Sequence, residues 1–112
     1  MYDDVKALNF PGGIGEIEFY RILAENKLVI VEMFTNYGGL DVIFVMETLS
    51  KDEFNDIVYM SIDSAEARWI GKQFSFEIGE NPTVLFFKDE KLVEKHVGFM
   101  KNEEFLATIK EK

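Results

Sequence analysis

The apolar positions of this chain switch repeatedly between the spacing of a strand and that of a helix. Residues 28–34 (LVIVEMF) form a nearly unbroken apolar and β-branched run, the pattern of a strand covered on both faces. This is the expected central strand of a buried sheet. Thr35-Asn36-Tyr37-Gly38-Gly39 then turns the chain, and Val42, Val45, Met46 and Leu49 repeat at helical spacing in a segment that reaches Asp56. Ile57 to Asp63 (IVYMSID) is a second buried strand, parallel to the first because a helix joins them, with a right-handed crossover.

The flanking segments extend the same alternation. Val5 to Leu8 is a short strand closed by the breaker cluster Asn9-Phe10-Pro11-Gly12-Gly13. From Gly15 to Glu25, Phe19, Ile22 and Leu23 share a helical face, which Ile17 and Tyr20 are expected to widen. Ser64 is placed to cap a helix whose Ala67, Ile70 and Phe74 lie on one face. Thr83–Lys88 and Lys91–Val97 are separated only by Asp89-Glu90 and so predict an antiparallel hairpin. Gly98 and Asn102 open a last helix, with Glu103 and Glu104 in its first turn and Phe105, Leu106 and Ile109 turned inward. The order is β-α-β-α-β-α-β-β-α. It predicts an α/β fold with one central mixed sheet flanked by helices.

Composition narrows the chemistry. With 112 residues, 47% of them hydrophobic, the chain suits a single domain over 1–112. It contains no cysteine, so disulfides, thiolate metal ligands and cysteine nucleophiles are excluded. The first ten residues carry two aspartates and no apolar core, and no stretch approaches the roughly 18 apolar residues of a membrane span, which predicts a soluble, cytoplasmic protein. A formal charge of −9 repels phosphate backbones and anionic lipid, so neither nucleic acid nor membrane is an expected partner. His96 is the single histidine and has no second imidazole or thiol with which to hold a metal. Asp52, Glu53 and Asp56 read as a solvated helix face. Gly12-Gly13 and Gly38-Gly39 lack the further glycines and lysine of a phosphate cradle. No cofactor and no metal are expected.

Across nearly its whole length the chain resembles the thioredoxin family. Val31-Glu32-Met33-Phe34 is similar to the family's Val-Asp-Phe-Trp pattern at the end of the central strand, and Ile62-Asp63 closes the next strand as the family's does. Pro82-Thr83 before VLFFK resembles the cis-proline segment, and Val97-Gly98 followed by Glu104-Phe105-Leu106 resembles the last strand leading into the final helix. The resemblance implies a thioredoxin-like fold. Where the family carries Cys-Gly-Pro-Cys, however, this chain has a shorter loop containing Asn36-Tyr37-Gly38-Gly39-Leu40-Asp41. Ile78 to Asn81 looks like a small insertion, and the hairpin turn is Asp-Glu where the family usually places a glycine. Thiol–disulfide exchange needs an attacking thiolate and a second sulfur, so the expectation from sequence is that the chain is redox-inactive and not an enzyme, with no catalytic residue.

Two sets of residues remain as candidates. Tyr37, Gly38, Gly39 and Leu40 have the make-up of a small hydrophobic binding patch, or else the glycines only permit a shortened turn. The resemblance sets Asn81 and Pro82 opposite that loop, where the family's backbone pairs with an extended peptide. Glu32 interrupts the central strand at the position where thioredoxins bury an acid. Burial would raise its pKa, and the Tyr59 hydroxyl on the adjacent strand is its expected partner. The leading reading is a binding, chaperone or scaffold module for a protein or peptide partner. The alternatives are an enzyme of non-thiol chemistry using Glu32 or Tyr37, and a self-associating subunit that forms homo-oligomers.

Overall fold

The computed structural model describes residues 5–10, 12–34, 57–75, 82–98 and 101–111. Five strands among them form one sheet: β1 (Val5–Phe10), β2 (Leu28–Phe34), β3 (Ile57–Asp63), β4 (Thr83–Lys88) and β5 (Lys91–Val97), in the order β1-β3-β2-β4-β5. β1, β3 and β2 run parallel, while β4 is antiparallel to both β2 and β5, so the sheet is mixed as the sequence predicts. The helices are α1 (Glu16–Glu25), α2 (Arg68–Gln73) and α3 (Asn102–Lys110), and a 3-10 turn over Ser64–Glu66 precedes α2. The helix expected between Asp41 and Asp56 lies outside the described residues, as do Met46 and the segment from Ile78 to Asn81.

β2 sits mid-sheet, and all its residues except Phe34 are buried. Side chains of a strand alternate between faces, so the core divides in two. On one side Val29, Val31, Met33, Val58, Met60, Ile62, Leu85 and Phe87 pack against Phe19, Ile22 and Leu23 of α1 and Ile70 of α2. On the other, Leu28, Ile30, Ile57, Tyr59, Val84 and Phe86 pack against Phe105 and Ile109 of α3. Phe19 is the hub of the first layer. Its ring meets Trp69, Tyr20 and Phe87 edge-on at centroid distances of 5.3, 5.5 and 5.7 Å. That geometry sets the positive edge of one ring against the negative face of another.

Three local expectations need correction. Ile17 is 89% exposed rather than part of the buried face, because at 100° per residue it points away from the direction shared by Phe19, Ile22 and Leu23. The cap before the third helical segment is Asp63, whose carboxylate accepts from the Ala65 N–H at 2.9 Å; Ser64 lies inside the turn. β1 continues through Asn9 and Phe10, since pairing with Ser61 and Ile62 overrides their weak strand preference. Gly13 belongs to the loop after β1 and has φ +89°; a Cβ there would stand 2.9 Å from the Glu66 Cβ, so only glycine fits without strain.

The hairpin turn also shows why the sequence is unusual there. Asp89 and Glu90 have φ of 51° and 71°, the mirror-image turn whose twist matches the flanking strands but which favours Asn-Gly. The Asp89 N–H is held by the Lys27 carbonyl at 3.0 Å, which ties the turn to the start of β2. Replacing Asp89→Asn together with Glu90→Gly is expected to raise stability by about 1 kcal/mol, since left-handed backbone costs an L side chain roughly that much. Urea unfolding with an unchanged m-value checks it, and no gain would show that the strain is absorbed elsewhere.

Candidate functional site

The parallel strands bring their carboxyl ends to one edge, and β4 begins at that same edge. Phe34 pairs with Asp63 at the ends of β2 and β3, and Met33 pairs with Thr83 at the start of β4. Pro82, one residue earlier, therefore comes beside the end of β2, where the chain leaves toward Tyr37. Pro82 is buried, and its carbonyl accepts from the Gly98 N–H at 2.7 Å. Gly98 has φ +99°, which closes β5 back onto β4. Tyr37, Gly38, Gly39, Leu40 and Asn81 lie outside the described residues. No cis peptide bond occurs among the described residues, and the Asn81–Pro82 bond is not one of those described.

Beneath this edge runs a line of register partners that crosses all five strands: Asn9, Ser61, Glu32, Val84 and His96. Glu32 is 2% exposed, a carboxylate inside the sheet. Tyr59 is 1% exposed and pairs with Ile30, which puts it on the same face as Glu32, two residues along. The two therefore face the same side of the sheet, close enough for the Glu32 carboxylate to act on the phenol. The Tyr59 hydroxyl is buried with no partner of acceptable distance and angle. Burial, then the negative Glu32 carboxylate and the pull of that carboxylate on the phenol proton, push the Tyr59 hydroxyl well above the usual phenol range. His96, opposite Val84, is half-buried. Among the described residues no cluster of three or more His, Cys, Asp or Glu side chains could hold a metal ion.

The sequence reading missed a second feature. An open groove of about 410 Å³ lies between the loop into α1 and the exposed side of α2, lined by Ile14, Gly15, Glu16, Trp69, Lys72 and Gln73. Trp69 is half-buried and donates its indole N–H to the Ile14 carbonyl at 3.0 Å. The two walls come from segments far apart in the chain. Gly13 was the available signal, since a Cβ there would crowd Glu66 in the 3-10 turn that precedes α2.

The chain matches no family model. It is 30% identical over 95 residues to the protein named thioredoxin from Mycoplasmoides gallisepticum, a match spanning 83% of this chain and 92% of that relative. The chain belongs to the thioredoxin family. Solved structures agree on the fold: mitochondrial thioredoxin 3 of Saccharomyces cerevisiae superposes with a TM-score of 0.69 at 18% identity, over 99% of this chain and 98% of the other. Thioredoxin f2, solved in complex with ferredoxin:thioredoxin reductase, superposes with a TM-score of 0.59 at 21% identity, over 96% and 94% of the two chains.

Membership of the thioredoxin family corrects one expectation. The reading that the chain is not an enzyme is overturned, because its relatives carry the name of an oxidoreductase and place it in an enzyme family. Lack of cysteine is only an absence. It means that these 112 residues supply no thiolate of their own. Among the described residues no helix is long and apolar enough to cross a membrane.

The buried phenol carries a pH signature. A folded-state pKa raised above the unfolded value of about 10 means that the unfolded chain loses this proton first, so stability is intact below that pH and falls as pH climbs past it. Tyr59→Phe is expected to lower the slope of unfolding free energy against pH above 10 by up to about 1.4 kcal/mol per pH unit. At pH 7 the variant should be as stable as the parent or more so by about 1 kcal/mol, since it deletes a buried hydroxyl with no partner. Urea unfolding of both chains between pH 7 and 11 measures both effects, and a variant clearly less stable at pH 7 would mean that the hydroxyl is satisfied in solution.

Proposed function

We propose that the chain is a polypeptide-binding member of the thioredoxin family, a chaperone or scaffold module in the cytoplasm that holds its partner without a thiol of its own. The observation that carries this reading is the convergence at one sheet edge of the end of β2, the end of β3 and Pro82 at the start of β4. The loop containing Tyr37, Gly38, Gly39 and Leu40 departs from that edge, and Asn81 precedes Pro82 there. An extended segment laid beside Asn81 and Pro82 would bind through main-chain hydrogen bonds, and Tyr37 and Leu40 would supply apolar contact area. Neither contribution needs sulfur. The reductase complex of the thioredoxin f2 neighbour supports the reading to this extent: a domain of this fold engages a protein partner.

The test uses the whole chain as bait in lysate from its native cell, with recovered proteins identified by mass spectrometry. A recurrent partner should bind the purified chain directly. Tyr37→Ala and Leu40→Ser together should weaken that binding at least tenfold, about 1.4 kcal/mol, as loss of central apolar anchors does. Thermal melting should move little if both side chains serve as surface contacts, since such residues contribute little to folding. Unchanged affinity in the double variant would remove this face from the account.

A further inference from the structure

Gly98 follows β5 directly and ties it to the proposed polypeptide edge, and glycine is needed there for a different reason from Gly13. At Gly13 a Cβ would collide with the Glu66 Cβ, whereas at Gly98 it would meet nothing within 4 Å. Room is therefore not what glycine provides at this position. Its φ of +99° is, since L side chains rarely adopt that backbone conformation. The same residue donates its N–H to the Pro82 carbonyl at 2.7 Å. Thr83 pairs with Val97, so Pro82 and Gly98 come opposite one another as the next pair along β4 and β5. Two residues bonded across an antiparallel ladder exchange two main-chain bonds, but proline has no N–H to give. The Gly98 donor is the one that remains.

We propose, resting on the reading that this edge takes a polypeptide, that Gly98 is a positioning residue for that binding. Its left-handed backbone aims a single N–H at Pro82 and so fixes the strand end on which a partner is laid. Pro82 is buried and precedes Thr83, whose other neighbour is Met33 near the end of β2. With the Pro82 carbonyl committed to Gly98, the main chain at Pro82 is held in one rotation beside the end of β2, and the backbone leading into it has one direction in which to offer its amide groups. A substitution that returns residue 98 to negative φ withdraws the donor and releases that carbonyl. The binding edge is then lost before the fold is, because one bond at the end of a ladder is a small part of a five-stranded sheet.

The test compares Gly98→Asn, Gly98→Ala and Gly98→Val in the whole chain, since asparagine is among the L residues that best tolerate positive φ and a β-branched residue tolerates it least. NMR of the labelled proteins reads the scalar coupling across the hydrogen bond from the residue 98 N–H to the Pro82 carbonyl. Affinity is read with a reduced and carboxymethylated, permanently unfolded protein, well below the melting temperature of every variant. Coupling and affinity should fall together in the order parent, Gly98→Asn, Gly98→Ala, Gly98→Val, with Gly98→Ala at least tenfold weaker than the parent. Circular dichroism and the amide shifts of α1 should stay those of the parent. Parental affinity in Gly98→Ala once the coupling is gone overturns the proposal and leaves the polypeptide reading standing, and a coupling that survives in Gly98→Val overturns it too. A parent chain that binds no unfolded protein removes the polypeptide reading, and this role for Gly98 with it.

Discussion

Every other element of this fold depends on β2 being paired along both edges and covered on both faces. Its partners are β3 on one side and β4 on the other, one parallel and one antiparallel. A strand held in that way must be apolar on successive residues, because neither face reaches water. That requirement draws α1 and α2 over one face and α3 over the other. It also delivers the end of β2 to an edge shared with the end of β3 and the start of β4, and the candidate binding site is a consequence of this geometry.

Glu32 is the one residue that defies the rule. A buried carboxylate is costly unless it stays protonated or finds compensating partners, and a phenol beside it that completes no hydrogen bond adds a second buried polar group. The register line through Ser61, Glu32 and His96 places this polarity under the strand ends rather than at random in the core. Membership of the thioredoxin family explains where the frame comes from. Without a cysteine in the chain, the acid no longer lies beneath a thiol of its own, and what the edge above it can still offer a polypeptide is backbone and apolar surface.

Much of this was legible in the sequence because periodicity reports burial directly. The run from Leu28 to Phe34 announces a central strand, and the two-residue gap at Asp89-Glu90 leaves a hairpin as the natural connection. Glu32 stands out as a charge inside that run. What was not legible depended on direction or on distant contacts. Ile17 has the right chemistry for the core but the wrong angle, and Asp63 outcompetes Ser64 as a cap through the geometry of the strand end. The orphaned Tyr59 hydroxyl is a matter of a small distance or angle that no pattern encodes. The groove beneath Trp69 joins residues 55 positions apart, so only the folded chain reveals it.

The central claim is that a polypeptide binds where the ends of β2 and β3 meet the start of β4. Amide NMR of the isotope-labelled chain, titrated with a reduced and carboxymethylated, permanently unfolded protein, tests it most directly because the probe can form no disulfide. The account predicts shifts or broadening centred on Phe34, Asp63, Thr83 and Gly98, with the amides of α1 and of mid-strand β5 unchanged. Perturbation confined to α1, α2 or β5, or none at tenfold excess of the unfolded protein, would contradict it.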